Sequence, residues 1–156
     1  MASHDNWGTP RDFFAVVNEE FTFDLDAAAS AEDTLCDKWI TAEQDALVTE
    51  WGHPGVETVY VNPPYTLIGP FVQRAYEESQ KHHITVAMLL PAYSDPKYWS
   101  NFVMKAHEVR FLKGRLKFVD NSGNGSSMSA RFPSVLVVFK WLAGTQYGYA
   151  PHQWVW

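Results

Sequence analysis

Val56-Glu57-Thr58-Val59-Tyr60-Val61, running directly into Asn62-Pro63-Pro64-Tyr65, is the stretch whose reading decides the fold. The first six residues alternate and are rich in β-branched side chains, so they read as a strand. Two consecutive prolines cannot continue a central strand, because they donate no backbone hydrogen bond and fix φ. The chain therefore leaves the sheet abruptly, with Asn62 and Tyr65 on a stiff turn at the strand's carboxyl end. That edge is where open α/β sheets bind ligands. An amide that donates and accepts, rigid carbonyls and an aromatic face suit a planar base bearing an amino group. An ordinary strand-ending turn with a surface tyrosine would satisfy the same four residues, so the rest of the chain must decide.

Outward from that point, helix and strand alternate as a doubly wound sheet requires. Thr9 is a good N-cap, Pro10 fits a first helical position and Asp12 adds an acid to the first turn, so 10–20 reads as an amphipathic helix on Phe13, Phe14 and Val17. Phe21-Thr22-Phe23-Asp24-Leu25-Asp26 reads as a strand, followed by the small residues Ala27 to Ala31. A short strand is expected at Lys38–Thr41 and a turn near Asp45-Ala46-Leu47. Past Tyr65, a helix starts near Pro70. Ile84 to Leu90 is an apolar run, the mark of a strand buried on both faces. Ser94-Asp95-Pro96 opens a helix with a buried stripe from Tyr98 to Ala106. Glu108–Leu112, Leu116–Val119 and Ser134–Phe139 are the last strands, with the polar Gly/Ser loop 121–130 making the final two a C-terminal hairpin. The tail 141–156 is aromatic without periodicity.

At 156 residues the chain is expected to form one domain, 1–156, with residues 1–8 as an N-terminal arm. A single cysteine, Cys36, excludes an intramolecular disulfide and suits a reducing cytosol. The six histidines show no ligand spacing, so no metal is expected, and no apolar run is long enough to span a bilayer. Net charge is −6, but it is unevenly spread. Residues 1–66 hold 13 acidic and two basic residues, whereas 67–156 hold five acidic and ten basic. Lys105, Arg110, Lys113, Arg115, Lys117 and Arg131 crowd one stretch of the second half. Phosphate binding answers to the local patch rather than the total, although a solvated basic hairpin would carry the same charges.

Asp24 and Asp26 are expected at the carboxyl end of their strand, on one side of it, with small residues after them that a close cofactor approach needs. Asp45 ends a third strand in the same reading. No glycine lies between Gly8 and Gly52, which argues against a pyrophosphate-bearing dinucleotide.

Seven segments in order then carry a resemblance: Trp7-Gly8-Thr9-Pro10, Phe23-Asp24-Leu25-Asp26-Ala27-Ala28, Asp45-Ala46-Leu47, Asn62-Pro63-Pro64-Tyr65, Met88 to Ala92, Arg110 to Phe118 and Pro133 to Phe139. From Trp7 to Phe139 the chain resembles the bacteriophage DNA N6-adenine methyltransferase (Dam-like) family. The resemblance implies a Rossmann-like, mixed but mostly parallel sheet flanked by helices and binding S-adenosylmethionine. It puts Trp7, Thr9, Pro10, Asp24, Asp26, Ala27 and Asp45 at the cofactor, with Asp37, Glu43 or no acid at all as the alternatives for its ribose. Asn62, Pro63, Pro64 and Tyr65 are similar to the catalytic motif of amino-group methyltransferases. It further implies double-stranded DNA as substrate, a host-cell cytoplasm as the place of action and restriction evasion as the role.

For target reading, with no room for a second domain, the expected elements are the loop 121–130, Thr66–Gly69 and the basic Arg110, Lys113, Arg115, Lys117 and Arg131. The rival readings are cytosine N4 transfer, methylation of a protein glutamine, and a non-catalytic nucleic-acid-binding module on the same fold.

Overall fold

A computed structural model of the chain describes residues 7–30, 34–120, 127–141 and 151–156. Strand β1 (Trp7–Gly8) leads into helix α1 (Arg11–Phe21). The helix continues one residue beyond Glu20, because Phe21 extends the apolar stripe of Phe13, Phe14 and Val17. Thr22 then stops it in a left-handed cap, φ 52°, with its N–H donating to the Asn18 carbonyl. The expected strand at 21–26 is thereby displaced: β2 is Leu25–Ala29, and the alternation of Phe21 and Phe23 reflects two rings stacked across the turn, 5.4 Å apart.

β3 (Lys38–Thr41) and β4 (Thr58–Val61) follow, then a 3-10 turn at Tyr65–Leu67 and α2 (Ile68–His82). β5 (Thr85–Pro91) precedes α3 (Lys97–Asn101), which is far shorter than the stripe to Ala106 suggested. Phe102, φ −130°, breaks it and a 3-10 turn at Val103–Lys105 completes the stripe. β6 (Glu108–Leu112) turns at Gly114, whose φ of +76° favours glycine, into β7 (Lys117–Asp120). β8 (Ser127–Ser129), β9 (Ser134–Phe139) and β10 (Pro151–Trp154) complete the order.

The main sheet has seven strands in the order β10-β6-β9-β5-β4-β2-β3. Only β9 runs against its neighbours β5 and β6; the other described pairs are parallel. The architecture is a mixed α/β sheet flanked by helices, compatible with a methyltransferase-like fold. The C-terminal hairpin is corrected in one respect. β7 pairs with β8, not β9, and with β1 on its other side makes a separate three-stranded antiparallel sheet. β10, which no periodicity announced, adds a parallel edge strand beside β6.

Alternation within each strand sorts the core into two layers. Val59, Val61, Met88, Leu90 and Val137 pack under α2 and α3 with Phe71, Val72 and Trp99. Tyr60, Ala87, Leu89, Leu136 and Val138 face α1 through Phe13, Phe14 and Val17. Central strands buried on both faces explain the unbroken apolar run at β5. Phe13 is fully buried, worth about 2 kcal/mol relative to solvent.

Candidate active site

Parallel strands end together, so the carboxyl ends of β2, β3 and β4 form one lip. Asn62 stands at that lip directly after β4, and Pro63-Pro64 carry the chain into the 3-10 turn that begins at Tyr65. Pro64 takes φ −60° and ψ 138°, an extended setting its ring favours, and its carbonyl accepts from Leu67 N–H at 2.9 Å. The Asn62 amide nitrogen, Nδ2, donates to the Trp7 carbonyl at 3.4 Å. With the donor end so engaged, Oδ1 is the acceptor end of the side chain.

Tyr65 has near-perpendicular ring contacts with Phe132 at 5.3 Å and Phe118 at 6.4 Å. Burial pushes its hydroxyl up to about 12, so the ring stays neutral. Beside it lies a cavity of about 590 Å³ whose walls include Trp7, Tyr65, Tyr93, Phe118 and Phe132, with Arg131 among them. Thr66, Ile68 and Gly69 line it as well, which brings three residues of the expected 66–69 stretch to the site. No motif in the sequence singles out Tyr93, Phe118 or Phe132. The available signal for Tyr93 was an aromatic shortly after an apolar strand, the pattern that Tyr65 follows after β4.

Asp26 is 3 % exposed and sits in β2 opposite Tyr60 of β4, on the α1 side of the sheet. Its carboxylate accepts from Ala28 N–H at 3.2 Å and Leu35 N–H at 3.4 Å, the second beyond the strand's carboxyl end. The Tyr60 hydroxyl shares a 2.8 Å hydrogen bond with Thr9 Oγ1, which ties Thr9-Pro10 to the same part of the sheet. Ala27 is buried within β2. Just past the strand, the Ser30 hydroxyl is buried with no hydrogen-bond partner among the described residues. An orphaned polar atom at a strand's carboxyl end fits a ligand's polar group there, and no sequence pattern points to it.

Asp24 is the clearest correction. It precedes β2 and therefore lies at the opposite, amino edge of the sheet. Its Oδ2 accepts from Glu57 N–H at 2.8 Å, Thr58 N–H at 3.1 Å and Thr58 Oγ1 at 3.2 Å. Partial burial pushes its carboxyl up, but those hydrogen bonds and the Lys38 charge outweigh this and hold it below its ordinary value. The structure therefore does not bring Asp24 to the lip with Asn62. The same logic separates the ribose alternatives: Asp37 precedes β3, whereas Glu43 follows it and shares the edge with Asn62.

Asp45 lies beyond β3, exposed, in a left-handed conformation of φ 54°. Its Oδ1 accepts from Leu47 N–H at 3.0 Å. The loop that carries it is pinned from below. Trp51 Nε1 donates to the Ala46 carbonyl at 2.9 Å, Trp51 N–H to the buried Glu78 at 2.9 Å, and Arg74 to the Thr49 carbonyl at 2.8 Å.

Of the expected DNA-contacting cations, Lys113, Arg115, Lys117 and Arg131 are exposed, and Arg115 donates to the Ala130 carbonyl at 3.2 Å. Arg110 departs from the expectation. It is 8 % exposed and paired with Glu20 at 2.7 Å and Glu108 at 2.9 Å, between the rings of Phe21 and Trp154. A mid-strand position facing α1 leaves its side chain nowhere to go but inward. Residues 121–126 of the Gly/Ser loop, 1–6 of the arm and 142–150 of the tail lie outside the described residues.

A sequence model of the DNA N-6-adenine-methyltransferase (Dam) family matches residues 1–150. The chain is 32% identical over 139 residues to the DNA N-6-adenine-methyltransferase of Haemophilus phage HP1 (strain HP1c1), covering 87% of this chain and 79% of that protein. It is 34% identical over 131 residues to the DNA N-6-adenine-methyltransferase of Escherichia phage T1, covering 83% of this chain but 53% of that longer protein. The chain belongs to the DNA N-6-adenine-methyltransferase (Dam) family.

Proposed function

We propose that this chain transfers a methyl group from S-adenosylmethionine to the exocyclic N6 amine of adenine in double-stranded DNA, with the target base turned out of the duplex into the cavity beside Tyr65. The observation that carries the reading is the Asn62 amide, held by its nitrogen on the carbonyl of Trp7, which together with Tyr65 lines an aromatic cavity. Asp26, Ala27, Thr9-Pro10, Asp45 and the orphaned Ser30 hydroxyl would hold the cofactor, with Glu43 as the acid for its ribose. Bound S-adenosylmethionine supplies an electrophilic methyl group on a sulfonium.

The protein's own part is positioning. An aromatic amine is a poor nucleophile because its lone pair is delocalised into the ring. Asn62 Oδ1 and the Pro63 carbonyl accept its two N–H bonds and draw it towards tetrahedral geometry, which localises the pair. Tyr65 stacks on the base, and the apolar walls exclude water. No titrating histidine or covalent cysteine is needed, because preorganised acceptors do this work. Lys113, Arg115, Lys117 and Arg131 supply the phosphate contacts.

The test is transfer of labelled methyl from S-adenosylmethionine to duplex DNA, followed by nucleoside analysis. The expected product is N6-methyl-2′-deoxyadenosine. Label in N4-methylcytosine would overturn the adenine assignment, and label in protein alone would overturn DNA as substrate.

A further inference from the structure

We infer that strand β1 is the positioning partner of the catalytic amide: the Trp7 carbonyl sets the rotation of Asn62, and pairing with β7 holds that carbonyl in place. The inference rests on the methyl-transfer reading for its consequence, but the contact itself does not.

Trp7 sits 55 residues from Asn62 in sequence, yet its carbonyl meets Asn62 Nδ2 at 3.4 Å. An asparagine side chain has two different ends, and which of them faces the target decides whether it accepts or donates. A carbonyl can only accept, so it selects the nitrogen and turns Oδ1 the other way. The 3.4 Å separation is long for such a bond, which leaves room for tightening when ligands bind, as catalytic hydrogen bonds commonly do.

Two residues are too few for a strand to hold itself. β1 is held by pairing, Trp7 opposite Asp120 and Gly8 opposite Val119. β7 is in turn the central strand of the small sheet, with Val119 also opposite Ser127 of β8. On the other side Thr9 anchors to Tyr60 of β4, two residues before Asn62. Trp7 also lines the cavity with Tyr65 and Phe118. The contact to the amide is made by its main chain, so a substitution of the Trp7 side chain leaves that carbonyl in place.

That separation gives the experiment. Val119→Pro breaks the central strand of the small sheet, since proline cannot serve the ladder there. Trp7→Phe keeps the carbonyl and alters only the wall. The first readout is hydrogen exchange of the Asn62 side-chain amide, identified as the NMR signal lost in Asn62→Ala. In the unsubstituted protein and in Trp7→Phe, exchange should be about tenfold slower than at an exposed amide; in Val119→Pro it should approach the exposed rate. The second readout is the single-turnover methyl-transfer rate at saturating duplex and cofactor. It should fall about 100-fold in Val119→Pro, with cofactor affinity changed less than about twofold. An Asn62 amide that exchanges freely in the unsubstituted protein overturns the inference. So does a Val119→Pro protein whose only defect is a raised KM for DNA. If Val119→Pro fails to bind cofactor, exchange in the unsubstituted protein and Trp7→Phe decides alone. An unsubstituted protein that protects Asn62 but never methylates DNA would sink the proposed function while leaving the contact intact.

Discussion

The two ends of the main sheet use the same kinds of side chain to opposite effect. At the amino edge, Asp24 accepts from two backbone N–H groups and one hydroxyl, all at the start of β4. At the carboxyl edge of the same pair of strands, the Asn62 nitrogen donates to the carbonyl of Trp7, a residue that lines the aromatic cavity, while the Ser30 hydroxyl is buried without a hydrogen-bond partner among the described residues. One edge is saturated by its own backbone and holds strands together. The other keeps polar atoms for something else. A carboxylate or amide in a strand-end motif is therefore not functional by type; what counts is whether the chain has already satisfied it.

The largest test of this contrast is Asn62→Ala. Under the proposed mechanism it removes an acceptor for the reacting amine and should lower the methyl-transfer rate about 10³-fold, with cofactor affinity measured by titration left unchanged. Near-normal turnover would erase the distinction between the two edges.

Tyr65 comes next. Tyr65→Ala should cost about 10-fold to 100-fold in kcat/KM for DNA, the range expected when one base loses its stacking partner. Tyr65→Phe should be close to unsubstituted, and the stacking should show no titration below about pH 12, because burial keeps the hydroxyl neutral. A large loss in Tyr65→Phe would mean that the hydroxyl rather than the ring makes the contact.

At the amino edge the expected outcome inverts. Asp24→Ala leaves donors at Glu57 and Thr58 to water and should lower stability by about 1 kcal/mol in denaturant melts. Methyl transfer per folded molecule should stay within about twofold. The carboxyl is held below its ordinary value, so its extra stabilisation is complete above the unfolded value of 3.8 and is lost as pH falls through the depressed native one. The stability gap between the unsubstituted protein and Asp24→Asn should therefore close on acidification. A gap that widened would show that the hydrogen bonds do not stabilise the charged form.

Much of this was legible in sequence where period and chemistry agreed. Lys38–Thr41, Glu108–Leu112 and Ser134–Phe139 read as strands and are strands, and the proline pair ended β4 where expected. The failures have one cause, that a residue type does not state its direction. Phe21 and Phe23 alternate like strand residues, but Asn18 accepts from the N–H groups of Thr22 and Phe23 through its carbonyl and its Oδ1 respectively, making a helix cap that no periodicity shows. That displacement alone moved Asp24 to the wrong end of β2. β10 was illegible because an edge strand on an otherwise complete sheet needs no regular alternation. The cavity was illegible because Tyr65, Phe118 and Phe132 meet only in the folded chain, and Trp7 comes to β7 through the pairing of β1.

The basic residues give the finest version of the same comparison. Arg110 and Lys117 lie seven positions apart, and sequence ranked them together. Arg110 faces α1, buried among Glu20, Glu108, Phe21 and Trp154, so its charge is neutralised within the fold. Lys117 opens β7 and is exposed. Each phosphate contact releases about 0.9 counterion, so Lys117→Ala should flatten the slope of log affinity for duplex DNA against log salt by about that amount. Arg110→Ala should leave the slope unchanged and instead destabilise the fold, since it strands the Glu108 and Glu20 carboxylates and removes the guanidinium from between two rings. Equal slopes for both variants would mean that burial, the physical basis for separating them, does not govern which cations DNA reaches.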